Sequence, residues 1–230
     1  MVLGEGMEFY IERGPVFPIL RIAMTEGETF RAEPGAMVSM TANIALEAKS
    51  GGKGVLGSIK AAVGGESLFT SLYTATDGAG ELILAAPSPG EILEIDLRDQ
   101  TVFARVGAYL AGRSELKLSA EGSMKAMLSG EGIFLSKISG TGRLFLHAYG
   151  SIIEKTLGDG EEYIVDTGHI VAFEQKTRYS VRRATKGLFS SVASGEGLVY
   201  CFQGPGRLWL QSRNMRLFAH RIADLLPQGR

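Results

Sequence analysis

The sequence predicts an all-β protein made of three tandem repeated β-units of about 65 residues each, with little helix. One phrase carries the repeat: SGEGIFL at 129–135 returns as SGEGLVY at 194–200, and GGESLFT stands 65 positions earlier, at 64–70. A fixed period of this length is typical of one supersecondary unit used several times around a shared core. The 31 glycines show no three-residue period, so they indicate many tight turns between short strands.

Each predicted unit repeats one frame of two glycines and an acid. The second glycine follows the first by eight residues, and a glutamate comes directly after it. The frame residues are Gly57, Gly65 and Glu66, then Gly122, Gly130 and Glu131, then Gly187, Gly195 and Glu196. In the first two copies, apolar residues between the glycines recur at helical spacing, which predicts one or two turns of helix. One acid per unit favours a structural role, because catalysis needs carboxylates that are brought together in unequal environments.

A glycine turn follows each copy of this frame. The turns are GAG at 78–80, GTG at 140–142 and GPG at 204–206, each between two apolar runs. A G-x-G in this setting is a hairpin signal, and the sequence therefore predicts a hairpin at each of the three positions.

A second phrase supplies the other strands of each unit. GETFRAEPGAMVSM at 27–40 returns as GEEYIVDTGHIVAF at 160–173, and GEILEIDLRDQTVF at 90–103 is a looser third copy. In the first two copies, Pro34-Gly35 and Thr167-Gly168 are predicted to separate two strands.

The predicted domain boundaries follow from these phrases. No linker rich in proline or serine separates the units, so one rigid body is expected. The units cover residues 1–84, 85–150 and 151–213, and residues 214–230 form a C-terminal helical tail. Within the tail, FAHRIADLLPQ at 218–228 predicts a short helix that is stopped by Pro227.

Positive charge is concentrated toward the carboxyl end. Residues 176–230 hold ten Lys and Arg against two acids, a net charge of +8, so the rest of the chain carries −9 within a total of −1. The stretch KTRYSVRRATK at 176–186 attracts phosphates, and its tyrosine could stack on a base. The candidates for nucleic-acid or anion binding are Lys176, Arg178, Tyr179, Arg182, Arg183 and Lys186. The alternatives are a solvated strand and a contact with an acidic surface.

The sequence predicts neither an enzyme nor a metal or cofactor site. His147, His169 and His220 include no H-x-H pair of the kind that a cupin metal site needs. Cys201 lies in the apolar run LVYCF, where a buried small hydrophobe is expected and no neighbouring base activates the thiol.

Location is predicted from three features. The start MVLGEGMEFY lacks a basic segment followed by an apolar one, and no apolar run approaches the roughly 18–20 residues of a spanning helix. With one cysteine in the chain, these features predict a cytoplasmic protein. The apolar segment KGVLGSIKAAVGG at 53–65 has lysines at its edge, so contact with a membrane surface is an alternative to internal packing.

Five motifs in order resemble one known family. They are GGESLF at 64–69, GAYLA at 107–111, VDTGHIVAF at 165–173, SGEGL at 194–198 and GPGRLWLQSRN at 204–214. Over about residues 7–214 the chain resembles the uncharacterised proteins grouped with the yeast "altered inheritance of mitochondria" protein. The resemblance implies units like those of the trp RNA-binding attenuation protein, each a short double-stranded β-helix or sandwich, and assembly into a trimer. It implies no activity, cofactor or catalytic residue.

No activity follows from these patterns, and three functional classes are left open. The leading interpretation is a non-enzymatic β-scaffold or binding protein that forms a homotrimer, in which arginines of the third unit pair with acids of the neighbouring subunit. The second is a nucleic-acid-binding protein that uses 176–186, and the third is a peripheral membrane organiser that uses 53–65.

Overall fold

The chain folds into antiparallel β-sheets. The computed structural model describes residues 6–49, 70–121, 135–184 and 198–226, and these residues form seventeen strands and one helix. The all-β class predicted from the sequence is therefore confirmed. Several predictions fall outside the described residues: the repeat frame (Gly57, Gly65, Glu66, Gly122, Gly130, Glu131, Gly187, Gly195, Glu196), Lys186 and the segment 53–65.

Three sheets contain the described strands, and neighbouring strands in each sheet run antiparallel. The first sheet has the order β1 (Glu8–Glu12), β2 (Ile19–Met24), β7 (Gly80–Ala85), β4 (Met37–Met40). The second has the order β12 (Ile152–Leu157), β17 (Gly206–Gln211), β14 (Ile170–Glu174), β8 (Ile92–Arg105), β11 (Leu135–His147), β9 (Tyr109–Arg113), β3 (Thr29–Ala32), β6 (Thr70–Ala75), β5 (Ile44–Lys49), and β10 (Lys117–Glu121) also pairs with β11. The third has the order β13 (Glu162–Asp166), β16 (Leu198–Gln203), β15 (Arg178–Arg183).

The G-x-G sequences are not hairpin turns, and the prediction of hairpins there is wrong. The strands on either side of 78–80 do not pair with each other, because β6 pairs with β3 and β5 whereas β7 pairs with β2 and β4. The same holds across 204–206, and 140–142 lies inside the single strand β11 at a bulge. Gly142 (φ 143°) and Gly206 (φ 150°) adopt backbone angles that only glycine accepts readily. Gly142 bends β11 within the ten-stranded sheet, whereas Gly206 begins β17 where the chain passes from the third sheet into the ten-stranded one.

The prediction that residues 90–103 are a third copy of the second phrase is also wrong, because these residues do not form two strands around a turn. Residues 90–103 lie mostly in the one long strand β8, which pairs with β11 from Ile92 to Arg105. The turn and strand that match Pro34-Gly35 and β4 are instead Val106-Gly107 and β9, since in both places the strand begins two residues after the turn glycine. The prediction of two strands around Pro34-Gly35 and around Thr167-Gly168 is confirmed.

Alternating strand residues build three neighbouring clusters of buried side chains. The first contains Phe30 and Phe145, with the half-buried Phe9 packed against both rings. The second contains Trp209, and the third contains Phe173 among other aromatic residues. Each large apolar side chain that is fully buried stabilises the fold by roughly 1.5–3 kcal/mol relative to exposure.

One helix, α1 (Met215–Leu225), follows the last strand. It begins three residues before the predicted start, because the side chain of Asn214 caps it by accepting hydrogen bonds from the N–H groups of Arg216 and Leu217. It ends ahead of Pro227, as the sequence predicts. Within the described ranges, no helix combines the length and apolar character that crossing a membrane requires.

Candidate assembly surfaces

Two strands of the ten-stranded sheet join parts of the chain that are distant in sequence. β9 pairs with β11 on one side and with β3 on the other. β14 likewise pairs with β17 and with β8. Because each is covered on both sides, the first four residues of β9 and of β14 are all buried. We call these two contacts the β3–β9 junction and the β8–β14 junction.

The strand β4 follows the same kind of turn as β9 and β14 but, among the described strands, is paired on one side only. Its partner is β7, and its other side forms the outer edge of the first sheet. All four residues are exposed, including Met37 at 38%, Val38 at 58% and Met40 at 36%. Three large apolar side chains on an uncharged edge form a surface that favours pairing with another strand. We call this surface the β4 edge.

The strand β13 is a second open edge. It pairs with β16 alone among the described strands. Tyr163 is 36% exposed and Ile164 is 57% exposed, and the acids Glu162 and Asp166 stand at the two ends of the strand. We call this surface the β13 edge. It lacks the proline or lysine with which proteins commonly block an edge strand.

Other outer strands in the described part of the chain carry charged side chains. β12 has Glu154 and Lys155 at its centre, β15 has Arg178 at its start and Arg182 and Arg183 at its end, and β1 has Glu8 and Glu12 at its two ends. Charged side chains in an edge strand disfavour pairing with a second strand. The β4 edge has no charged residue and the β13 edge has charges only at its ends, so both surfaces are suited to strand pairing.

A bulge at the same place marks β4, β9 and β14. In each strand one extra residue interrupts the pairing: Val38 opposite β7, Leu110 opposite β11 and Val171 opposite β17. Leu110 and Val171 are fully buried at the junctions, whereas Val38 is 58% exposed. The residue at this place is thus buried wherever a neighbouring strand covers it.

The basic stretch divides between two faces of β15. Arg178 and Arg182 are exposed on one face, whereas Tyr179 points to the opposite face, where its ring lies 5.0 Å from that of Phe173. Lys176 is held by Glu174, with its Nζ 3.1 Å from the carboxylate. Stacking of Tyr179 on a base would therefore occur away from Arg178 and Arg182, and nucleic-acid binding by this stretch stays a prediction.

A shallow cavity of about 430 Å³ lies on the arginine face of β15. It is bordered by Ile164, Arg178, Arg182 and Cys201, so it is continuous with the β13 edge. The thiol of Cys201 is half-buried and accepts a hydrogen bond from Nε of Arg182 at 2.9 Å. The cysteine therefore lies beside a cation and is less enclosed than the sequence predicts. Arg183 is exposed near the end of the strand.

The histidines lie in three separate environments. His147 is 4% exposed in β11, and Nδ1 of His169 lies 2.8 Å from the carbonyl oxygen of Gln211. His220 is exposed on α1. Over the ranges that the structure describes, no three His, Cys, Asp or Glu side chains come together to hold a metal ion.

The stability of the fold is expected to fall as the pH drops from about 6.5 toward 4, in part because of His147. Burial, assisted by the nearby Arg105 cation, lowers the pKa of His147 to about 4 in the folded protein. The ordinary pKa is about 6.5, so the unfolded chain takes up the proton first, and unfolding becomes easier by up to about 3 kcal/mol. Urea unfolding from pH 4 to 7.5 should show a weaker pH dependence in His147→Gln. The exposed control His220→Gln should keep the wild-type slope, and equal slopes in all three proteins would contradict this assignment.

These features define a class: an all-β protein of antiparallel sheets whose candidate surfaces are open strand edges. Residues 9–213 match the family described as mitochondrial biogenesis AIM24. The chain belongs to this AIM24 family, which confirms the resemblance that the motifs indicated.

Two relatives come from Streptococcus pyogenes. An uncharacterized protein of serotype M6 is 34% identical over 230 residues, which cover 96% of this chain and 92% of the relative. A crystal structure of an S. pyogenes protein has a TM-score of 0.82 and 31% identity, and the match covers 96% of this chain and 100% of that one. Neither description states an activity, a ligand or a partner.

The sequence did not identify the two open edges as functional residues. A signal for them was present, since the phrases at 27–40 and 160–173 contain both edges next to equivalent turns. Nothing in those phrases, however, distinguishes a strand that is covered from one that is left open, because this depends on which distant strand reaches it.

Proposed function

We propose that this protein is a non-enzymatic cytoplasmic scaffold that assembles head-to-tail into a homotrimer through its open strand edges. The observation that supports the proposal is the pair of unlike edges: the apolar β4 edge in the first third of the chain and the β13 edge in the last third. Two different patches on each copy form a heterologous interface, which makes a closed ring when the rotation between copies is right.

The proposal includes three successive β-units with boundaries at 1–84, 85–150 and 151–213. The supporting pattern is the pairing within each part. In the first, β7 lies between β2 and β4 while β6 lies between β3 and β5. In the last, β17 lies between β12 and β14 while β16 lies between β13 and β15. In the middle part, the long strand β11 corresponds to both of the central strands of the other parts. It pairs with β8 on one side and with β9 and β10 on the other.

Backbone geometry also supports three equivalent units. The bulge residues Val38, Leu110 and Val171 each occupy the second position of the strand that follows the turn. Positive φ angles occur at Gly27 (82°), at Asp99 (53°) and at Gly160 (72°), each eight residues before the glycine of the turn. In the middle unit Asp99 stands where the other two units have a glycine, so the glycine phrase is absent at that point of the sequence. Aspartate is one of the few other residues that tolerate this conformation.

The units are joined in one direction only. A strand of the first unit, β3, pairs with β9 of the second, and a strand of the second, β8, pairs with β14 of the third. Because each unit pairs with the next in this way, one strand edge is left unpaired, among the described strands, at each end of the series of units. These are the β4 edge and the β13 edge. Strand edges left open are stabilised when they are paired, and a second copy of the chain carries the matching edge.

Charge supports the register of this contact. Arg178 and Arg182 are exposed beside the β13 edge, whereas Glu47 and Glu81 are exposed in the first unit. We propose that the arginines of the third unit face acids of the neighbouring copy. Each exposed pair contributes only about 0–1 kcal/mol, so burial of the apolar edge residues supplies most of the stability and the charges select the partner.

The mass in solution tests this proposal. We expect light scattering after gel filtration to give about three times the chain mass of 24.6 kDa at micromolar concentration. The mass should change little with salt, because apolar burial dominates the interface. A concentration-independent mass of one chain would refute the proposal, and a stable dimer would refute the ring.

A further inference from the structure

From the two junctions within the chain, and resting on the proposed assembly, we infer how the copies join. The β13 edge of one copy pairs antiparallel with the β4 edge of the next, with Ile164 opposite Met40 and Val165 opposite Ser39. The partner is therefore a second copy of this chain, and the contact is a third example of a junction that the fold already makes twice.

The register follows from those two junctions. In the β3–β9 junction, Ala32 lies opposite Ala111, the residue that follows the bulge in β9. In the β8–β14 junction, Ala104 lies opposite Ala172, which again follows the bulge in β14. In each case the first alanine stands three residues before the glycine of the turn that leads out of its strand. The residue in that position of β13 is Val165, and the residue after the bulge of β4 is Ser39.

The next pair along the strands is Arg31 and Gly112 in the β3–β9 junction and an apolar pair in the β8–β14 junction. In the β8–β14 junction this pair is Phe103 and Phe173, whose ring centroids lie 5.4 Å apart. At the proposed contact the corresponding residues are Ile164 and Met40, which are 57% and 36% exposed in the isolated chain. Both become buried when the two edges meet, so the contact removes apolar surface that the single chain leaves in water.

Hydrogen bonds outside the main ladder indicate which groups face each other. The N–H of Glu33 donates to the carbonyl of Leu110 at 2.8 Å in the first junction. The N–H of Gln175 donates to the carbonyl of Thr101 at 3.1 Å in the second. Equivalent bonds at the proposed contact would join the N–H of Asp166 to the carbonyl of Val38, and the N–H of Ala42 to the carbonyl of Glu162.

A two-fold contact of β4 with β4 is less consistent with the fold. Neither junction pairs two strands of the same type: each joins a strand that precedes the turn to a strand that follows it. A β4–β4 contact would also leave both β13 edges open, with Ile164 still exposed.

Disulfide cross-linking tests the pairing directly. Opposed residues in an antiparallel pair have Cα atoms about 4.5–5.5 Å apart, which lies within the range that a disulfide spans. In a Cys201→Ser background, the double variant Met40→Cys with Ile164→Cys should form covalent dimers and trimers under mild oxidation, and no larger species. The control combines Met40→Cys with Ile153→Cys on the outer strand β12, where the residue is 51% exposed, and it should stay uncross-linked.

A charge exchange gives a second readout without oxidation. Met40→Lys alone and Ile164→Glu alone should each lower the trimer fraction at least tenfold at micromolar concentration. The double variant places the introduced lysine of one copy opposite the introduced glutamate of the next and should regain trimer, because opposite charges across a strand pair attract.

The outcomes separate this inference from the proposed function. A wild-type trimer that gives no Met40–Ile164 cross-link, and that survives both charge variants, overturns the pairing but leaves the scaffold proposal standing. Covalent dimers from Met40→Cys alone would establish a β4–β4 contact and overturn the pairing as well. A monomeric wild-type protein overturns both the pairing and the homotrimer. The partner of the two edges would then be a strand of another protein.

Discussion

Replacement of Phe145 by alanine is expected to lower the free energy of unfolding by about 3–5 kcal/mol. Phe145 is completely buried in β11, and its ring centroid lies 5.2 Å from that of Phe9 and 6.2 Å from that of Phe30. The three rings come from β11, β1 and β3, so the alanine variant leaves a cavity where the first two parts of the chain meet. β11 and β3 are each held by pairing on both sides, so the surroundings of the cavity relax only in part.

Urea unfolding followed by circular dichroism measures this loss. The matched control is Phe17→Ala, because Phe17 is 70% exposed in the segment between β1 and β2. Its removal should change the free energy of unfolding by no more than about 0.5 kcal/mol. A similar change in both variants would show that the ring of Phe145 is not packed in the core between β1, β3 and β11. The chain concentration has to be the same in all measurements, since assembly contributes to apparent stability.

The substitution Gly90→Ala is expected to destabilise the fold by more than about 3 kcal/mol, through two effects that add. The φ angle of Gly90 is 149°, a conformation that side-chain-bearing residues rarely adopt. A Cβ atom at this position would also overlap the carbonyl oxygen of Ala148 and the backbone of Gly150. These backbone atoms take part in a close bridge between Gly90 and Gly150, so they cannot move away without breaking it.

The region around Gly90 explains why the effect should be global. The N–H of Gly90 donates to the carbonyl of Val16 at 2.8 Å, and the N–H of Glu91 donates to the carbonyl of Gly150 at 3.0 Å. The bridge thus ties the loop before β2 to the segments that precede β8 and follow β11. The control is Gly158→Ala, where the nearest atom to a new Cβ is a carboxylate oxygen of Glu161 at 3.9 Å. That variant should unfold within about 0.5 kcal/mol of wild type, and a Gly90→Ala protein of equal stability would contradict the bridge.

Local patterns in the sequence were enough to predict the elements. Alternating apolar residues on either side of Pro34-Gly35 and of Thr167-Gly168 predict the strands β3, β4, β13 and β14, and all four are present. The tail helix was also predicted, within three residues of its start. Such features depend on neighbouring residues, since alternation, turn glycines and caps act over a few positions.

Partners of the strands could not be predicted in the same way. The glycines at 140–142 looked like a hairpin turn, yet they bend one strand, because a glycine that adopts positive φ serves either purpose. The surroundings of the basic stretch were likewise not predicted. Strand alternation places Tyr179 and Arg182 on opposite faces of β15, but the aromatic cluster that Tyr179 joins with Phe173 comes from a distant strand.

The candidate site shows the same division between local and distant information. MVSM in β4 and IVAF in β14 are both apolar strands after a glycine turn, and the sequence alone does not distinguish them. Phe173 is completely buried because β8 lies beside it, whereas Met40 is 36% exposed because no described strand covers β4 on that side. Which strands lie side by side depends on contacts between residues far apart in the chain, and these form only when the whole core packs.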